Sequence, residues 1–280
     1  MTLECFVCRA KNQRKIRKID NYKLIRCTNC RTVFLSPKPN SKIENNLRKY
    51  ESTESIQSYT NIKSLLEERA EDCVKKIKIY KNKGELLDVG CSFGFYLEIF
   101  KKYGYSVRGI DISKKAINYI VERKNIQAVN GNFDKYHFDS NSFDIITMFD
   151  VLEHFSDPVK IINKVKRILK KDGVVVIQTP NFDSIMSKIT GKKWFWLLVP
   201  QHIYLYSLTS LHYLLTKNGF RILSLKTWDD HHEFTSNLLS LLRINYWGKT
   251  KIIHRILIKF KIIVVLLSYI WNIFNLGGEI

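Results

Sequence analysis

Along the middle of the chain, short apolar runs alternate with stretches whose apolar positions return every three or four residues. The runs predict strands at 85–90, 105–110, 126–129, 143–149 and 173–179, and the periodic stretches predict helices at 94–103, 113–124 and 158–170. Strands that alternate with helices in this way build a parallel sheet covered on both faces, because each crossover carries a helix. Lys170, Lys171, Asp172 and Gly173 read as the turn before the fifth strand, with cations at a helix end and a glycine just beyond. Past this point the pattern loosens: 181–206 is aromatic and irregular, 207–218 reads as a helix and 219–225 as one more strand.

Upstream, Ile62, Leu65, Leu66, Val74 and Ile77 recur at mostly helical spacing, which predicts an amphipathic helix between 56 and 80. Before it, Ser36, Pro37, Lys38 and Pro39 disfavour regular structure and mark a boundary. Downstream, 262–271 is the most apolar stretch, shorter than the ~20 residues that span a bilayer. It reads as a helix packed on the domain or a partner, as an interfacial membrane attachment, or as a span. Lys249, Lys251, Arg255, Lys259 and Lys261 keep peripheral membrane contact through 249–274 among the alternatives. The chain thus divides into 1–36, a linker and helix at 37–83, the α/β domain at 84–228 and a basic, apolar helical segment at 229–280. No internal repeat is present.

Composition adds a partner question. With 280 residues, 45% of them hydrophobic, the chain can bury one sizeable core and a small module. Its net charge of +20 suits nucleic acid or an anionic membrane, or is an ordinary solvated surface. The first residues lack a charged segment followed by an apolar one, so no signal peptide is expected and a cytoplasmic location is. Cys5-x-x-Cys8 and Cys27-x-x-Cys30, eighteen residues apart, have the spacing of a four-thiolate zinc ribbon, and closed coordination by four cysteines implies a structural Zn2+. The ribbon carries nine basic residues but only Phe6, Tyr22 and Phe34 as stacking aromatics, which is sparse for an RNA surface.

Gly90 and Gly94 follow the first strand, where open α/β sheets place their ligands, and Asp111 closes the second strand, where an acid can take both ribose hydroxyls of an adenosine-type ligand. The dinucleotide fingerprint fails, because Ser92 occupies its central glycine position. The segment Leu87-Asp-Val-Gly-Cys-Ser-Phe-Gly94 instead resembles motif I of the class I S-adenosylmethionine-dependent methyltransferases. Residues 142–154, with Phe143-Asp144 and Leu152-Glu-His154, resemble the family's fourth-strand block, and 170–181 its fifth. Residues 200–207 and Asn218-Gly-Phe220 are similar to a bacterial subgroup related to the ubiquinone O-methyltransferases.

The resemblance implies a Rossmann-like, doubly wound, mostly parallel sheet. It also implies that Asp88, Gly90, Cys91, Ser92, Gly94, Phe149 and Asp150 surround the methionine part of the cofactor. Asp111 and Ile112 would lie at the ribose, Asn132 and Phe133 at the adenine. His154 and His202 are the candidates for a general base or for orienting the acceptor; otherwise they are a capping or packing residue and a satisfied polar group. Trp194, Phe195, Trp196, Tyr204 and Tyr206 either line an apolar or sugar-binding cavity or only pack. His231 and His232 beside Glu233 read as a polar loop. Ribbon-bearing relatives imply a small-molecule, sugar or lipid-linked acceptor, most readily at oxygen. The alternatives are an RNA methyltransferase and a zinc-dependent nucleic-acid-binding or scaffold protein with a degenerate cofactor fold.

Overall fold

A computed structural model describes residues 4–39, 56, 59–60, 63–228 and 236–237. Ile62 and, apart from 236–237, the C-terminal segment from 229 on, including His231, His232, Glu233 and the basic and apolar stretch at 249–274, lie outside the described residues. Among the described residues no helix is long and apolar enough to cross a membrane. The chain forms two compact units, and they interleave in sequence. One takes 153–156 and 179 onward together with 1–39; the other takes the rest up to 178.

The second of these units is the α/β sheet. Its strands are β4 (Glu85–Val89), β5 (Ser106–Asp111), β6 (Gln127–Asn130), β7 (Phe143–Phe149) and β8 (Leu169–Gln178), in the order β6-β5-β4-β7-β8. All four pairings are parallel, as the alternating pattern predicts. The order reverses at β4, so the carboxyl ends of β4, β5 and β7 converge at a switch point. The helices are α1 (Lys63–Lys78), α2 (Phe95–Lys102), α3 (Lys114–Lys124) and α4 (Pro158–Ile168). Ser113 caps α3 by accepting from the Ala116 amide, and Asp157 caps α4 from Lys160. Ala70, Val74 and Ile77 of α1 pack with Leu97 and Phe100 of α2 and with Leu86 and Ile145 of the sheet in one buried core.

The expected turn at 170–173 lies inside β8. Phe143 faces Leu169 but Ile145 faces Val174, so the chain bulges there between paired residues. A side chain on Gly173 would meet the Leu169 side chain at 2.7 Å, which is why a glycine closes this bulge. The strand expected at 219–225 does not form. Leu223 is 42% exposed and no described strand takes up the backbone groups of this segment, so its apolar residues have no sheet face to bury against.

The other unit contains the cysteine ribbon and the aromatic region after β8. Strands β1 (Gln13–Ile19), β2 (Tyr22–Cys27) and β3 (Val33–Ser36) form an antiparallel meander, and β9 (Tyr204–Leu205) adds a fourth strand against β3. Helices α5 (Ile185–Thr190) and α6 (Leu208–Lys217) belong to the same unit. Region 181–206, expected to be irregular, therefore holds a helix and a strand, both too short for a periodic signal. Leu24, Val33 and Leu35 of the ribbon share one buried core with Phe182, Met186, Trp194 and Leu205. Arg26 also pairs with Asp183 at 2.6 Å. Fully burying side chains of this size contributes about 1.5–3 kcal/mol each, so the ribbon is held chiefly by apolar contact rather than by that half-exposed ion pair.

If β9 completes the ribbon sheet, Leu205→Ala should destabilise this unit by about 2–5 kcal/mol. It should also speed the reaction of the Cys27 and Cys30 thiols with a thiol reagent under native conditions. Unchanged thiol reactivity in a destabilised variant would count against the shared core.

Candidate active site

The turn after β4 is set by its backbone. Gly90, Ser92 and Gly94 have φ of 75°, 46° and 70°. A side chain on Gly90 would meet Val151 at 2.7 Å, and one on Gly94 would meet Ile120 at 2.9 Å. The glycines are thus required by the protein's own packing as well as by left-handed backbone. Ser92 occupies the same region of backbone space at the cost of about 1–2 kcal/mol that a non-glycine residue incurs there. Cys91 is buried, and its sulfur would lie 2.6 Å from a side chain on Gly109, so it fills the gap between the turn and β5.

Asp111 ties this turn to the next one. Its Oδ2 accepts from the Ser92 amide at 2.9 Å and its Oδ1 from the Ser113 amide at 2.8 Å. Burial raises its pKa, and the amides of Ser113 and Ser92 pull the other way. A carboxylate has about four acceptor sites, so two remain for further donors. Ile112 beside it is 43% exposed, an apolar side chain left uncovered at a strand end. Asn130, which sequence reasoning missed, holds this corner by donating to the carbonyls of Asp111 and Ile112.

Two more acids lie at neighbouring strands. Asp88 is buried and accepts from the Thr147 hydroxyl at 2.7 Å; burial pushes its carboxyl up to about 7. Asp150 follows β7 with φ of 50° and accepts from the Gln178 side chain at 3.0 Å through Oδ2. Its Oδ1 is buried with no hydrogen-bond partner among the described residues, and burial raises this carboxyl to about 6 against the opposing charge of Arg69. Phe149 stacks on Tyr96 with centroids 4.2 Å apart. Asn132 turns its side chain onto the Asp134 amide, while the ring of Phe133 is buried against Phe138 beneath Lys164. Phe133 therefore contributes to the core. Gln178 and Thr147 were not singled out from sequence, although parallel pairing of β8 and β4 with β7 places them beside Asp150 and Asp88.

In the ribbon unit the four cysteines converge. Cys5 and Cys30 sulfurs are 3.5 Å apart, as are those of Cys8 and Cys27, and all four lie within 4.8 Å of one another. The two knuckles match: Arg9 donates to the Cys5 carbonyl and Arg31 to that of Cys27, each with positive φ. Four sulfurs at ~2.3 Å from a common centre would be ~3.8 Å apart, so the donor set fits a tetrahedral ion.

The same unit brings His154 and His202 together, with ring centroids 4.7 Å apart, and adds Glu153, a residue not proposed from sequence. Glu153 Oε2 accepts from the Thr179 hydroxyl at 3.0 Å, and Oε1 lies 4.0 Å from His202 Nε2. Burial, with His154 adding to it, lowers the His202 pKa well below the ordinary histidine range. Trp196 stacks on the His202 ring. Tyr204 and Tyr206 are fully buried, and among the described residues the Tyr206 hydroxyl and the indole N–H groups of Trp194 and Trp196 have no hydrogen-bond partner.

Two substitutions should move stability in opposite directions. Gly90→Ala should cost more than about 1–2 kcal/mol, from left-handed backbone plus the Val151 clash, whereas Ser92→Gly should be neutral or stabilising by up to about 1 kcal/mol. Denaturant unfolding of both variants checks this. The raised carboxyls add a pH dependence. A carboxyl whose folded pKa exceeds its unfolded value stabilises fully below the unfolded value, and that stability is lost as pH rises through the folded one. The ligand-free protein should therefore melt lower at about pH 8 than at about pH 5, and Asp88→Asn should flatten the difference.

A methyltransferase-domain family model matches residues 60–225. Among curated relatives, a ubiquinone biosynthesis O-methyltransferase of Coxiella burnetii is 31% identical over 123 residues, covering 41% of this chain and 53% of that protein. The corresponding protein of Glaesserella parasuis is 36% identical over 109 residues, covering 35% and 45%. The chain spans about half the length of the curated relatives it matches. Among solved structures, a SAM-dependent methyltransferase from Archaeoglobus fulgidus aligns with a TM-score of 0.54 at 17% identity, covering 86% of this chain and 97% of that one. At that identity the likeness shows the fold alone. The parallel sheet with its glycine turn and strand-end acid, and the family match over more than half of the sequence, lead to one assignment: this chain belongs to the methyltransferase-domain family.

Proposed function

We propose that the chain transfers a methyl group from S-adenosylmethionine to an oxygen of a small-molecule acceptor, with a structural zinc in its ribbon. The observation that carries this reading is the set of buried acids at adjoining strand ends, above all the unpartnered Oδ1 of Asp150. Asp88, Asp111 and Asp150 all have raised pKa values because burial leaves their charge poorly compensated. A ligand with an ammonium and a sulfonium supplies the missing cations, and its adenosine supplies hydroxyls to Asp111 and an apolar ring to Ile112. The fit supports this cofactor over an anionic dinucleotide, which these acids would repel.

When bound, the cofactor's sulfonium makes its methyl group electrophilic. The protein then has three tasks. Asp150 and the 88–94 turn hold the amino-acid end, Asp111 keeps the turn closed by its two backbone bonds, and Tyr96 with Phe149 presents a stacked apolar wall. Fixing both reactants accounts for most of the acceleration expected of such a transfer, with positioning worth up to about 7–11 kcal/mol. The acceptor's oxygen loses its proton, to a base or to solvent, as the methyl arrives. The similarity to ubiquinone biosynthesis O-methyltransferases favours an oxygen acceptor; sugar and lipid-linked hydroxyls are the finer alternatives within that class. Zinc at Cys5, Cys8, Cys27 and Cys30 would fix the ribbon that shares a core with Trp194 and Leu205.

Calorimetric titration should show S-adenosylmethionine binding to the wild type and at least about tenfold weaker binding to Asp111→Ala, since each hydrogen bond to a charged group contributes about 1.5–3 kcal/mol. Affinity should fall as pH drops through about 6, where Asp150 takes up a proton and can no longer pair with the ammonium. Wild-type protein that binds no S-adenosylmethionine would remove the proposal. Metal analysis should return about one zinc per chain, and Cys27→Ser with Cys30→Ser should abolish it.

A further inference from the structure

We infer that Lys164 is a positioning residue for the adenine half of the cofactor site: from α4 its ammonium locks the turn 132–136 against the Asp111 corner. Lys164 reaches carbonyls and a ring rather than the cofactor, so this role rests on the S-adenosylmethionine reading above. The turn begins where β6 ends and is tied to the ribose corner from the start. The Gly131 amide donates to the Asp111 carbonyl at 2.9 Å, and the Asn130 side chain donates to the carbonyls of Asp111 and Ile112 at 3.1 and 2.9 Å. Ile112, which meets the adenosine ring, is left uncovered at this strand end, and the turn is the next wall beside it.

The backbone of the turn explains why a lysine serves here. The amides of Lys135 and Tyr136 both donate to the Asn132 carbonyl, at 3.0 and 2.9 Å, in one helical turn that is not continued. A helix that stops so soon leaves its later carbonyls without amide partners of its own. Lys164 Nζ donates to the carbonyls of Phe133 and Tyr136 and lies 3.4 Å from that of Asp134. An ammonium has three donors and no acceptor, so the three carbonyls use its full capacity. The same ammonium lies 4.7 Å from the centroid of the Phe133 ring, and that ring is buried, which anchors the turn from below. Asn132 Oδ1 accepts from the Asp134 amide at 2.8 Å, so the direction of this side chain is set by the turn that Lys164 closes. Lys160, one turn earlier on α4, lies 2.7 Å from the Asp134 carboxylate, but its side chain is 60% exposed and the pair contributes little. The two lysines therefore touch one turn with unequal weight.

The test is calorimetric titration of the full-length protein, well below its melting temperature. Lys164→Met keeps an aliphatic stem and removes the ammonium, and its affinity for S-adenosylmethionine should fall about tenfold or more. Lys164→Arg, which still presents several N–H groups to the carbonyls, should bind within about threefold of wild type, as should Lys160→Met. The loss should fall on the base. The preference for S-adenosylhomocysteine over S-inosylhomocysteine, which carries an oxo group in place of the 6-amino group, should narrow in Lys164→Met. A residue that only stabilises the fold would lower the unfolding midpoint and leave that preference intact. Unchanged S-adenosylmethionine affinity in Lys164→Met overturns the role, as does a loss of affinity with the base preference unchanged, or an equal loss in Lys160→Met. Wild-type protein that binds no S-adenosylmethionine removes the cofactor reading itself, and the role with it.

Discussion

Two backbone amides share one carboxylate at Asp111, and the α/β unit is organised around that sharing. The Ser92 amide belongs to the turn after β4 and the Ser113 amide to the turn after β5, so a single side chain sets the spacing of two loops at the switch point. Such bonds are charge-assisted and short, and they operate where burial makes a lost partner costly. The strained backbone at Ser92 persists because the turn is over-determined by Asp111, by the bond from the Gly90 amide to the Ile110 carbonyl and by the Gly94 bond to Cys91. A ligand arriving at this corner meets donors and acceptors already in place, and the binding energy is not spent on ordering them.

The parallel sheet was legible because its signals are local and repeated. Each strand from Glu85 to Gln178 is an apolar run, each helix has a periodic face, and Ser113 and Asp157 are recognisable caps. Asp111 was legible as the acid that ends the second strand, but its two amide bonds to Ser92 and Ser113 were not, because they depend on how two separate turns meet. What escaped the sequence was decided by pairing across long separations. Nothing in Tyr204 and Leu205 announces a strand; they become one because β3 offers an open edge. Glu153 reads as part of a motif, and its partnership with His202 depends on a chain reversal nearly fifty residues on. Segment 219–225 failed in the opposite sense: its apolar alternation is real, but no described neighbour receives it.

The two units handle buried polarity differently. In the α/β unit, acids at strand ends are satisfied by amides, a hydroxyl and a side-chain amide, with one oxygen left over at Asp150. In the ribbon unit, soft and nitrogen donors gather at two separate points, four sulfurs at one and two imidazoles with a carboxylate at the other. Small modules with little core commonly lean on metals, and this ribbon has additional support from an apolar interior built with residues beyond 179.

That shared interior has a consequence for biosynthesis. The ribbon leaves the ribosome well before the residues that complete it, and β3 meets its partner only when Tyr204 and Leu205 have emerged. At ~5–20 residues per second this takes roughly 10–30 s. Throughout that interval Val33 and Leu35 lack the cover of Phe182, Met186 and Trp194, and the edge of β3 is open to another strand. The basic residues of β1 and β2 then act as gatekeepers of a nascent domain, keeping the half-built sheet apart from its neighbours until the rest of the chain arrives.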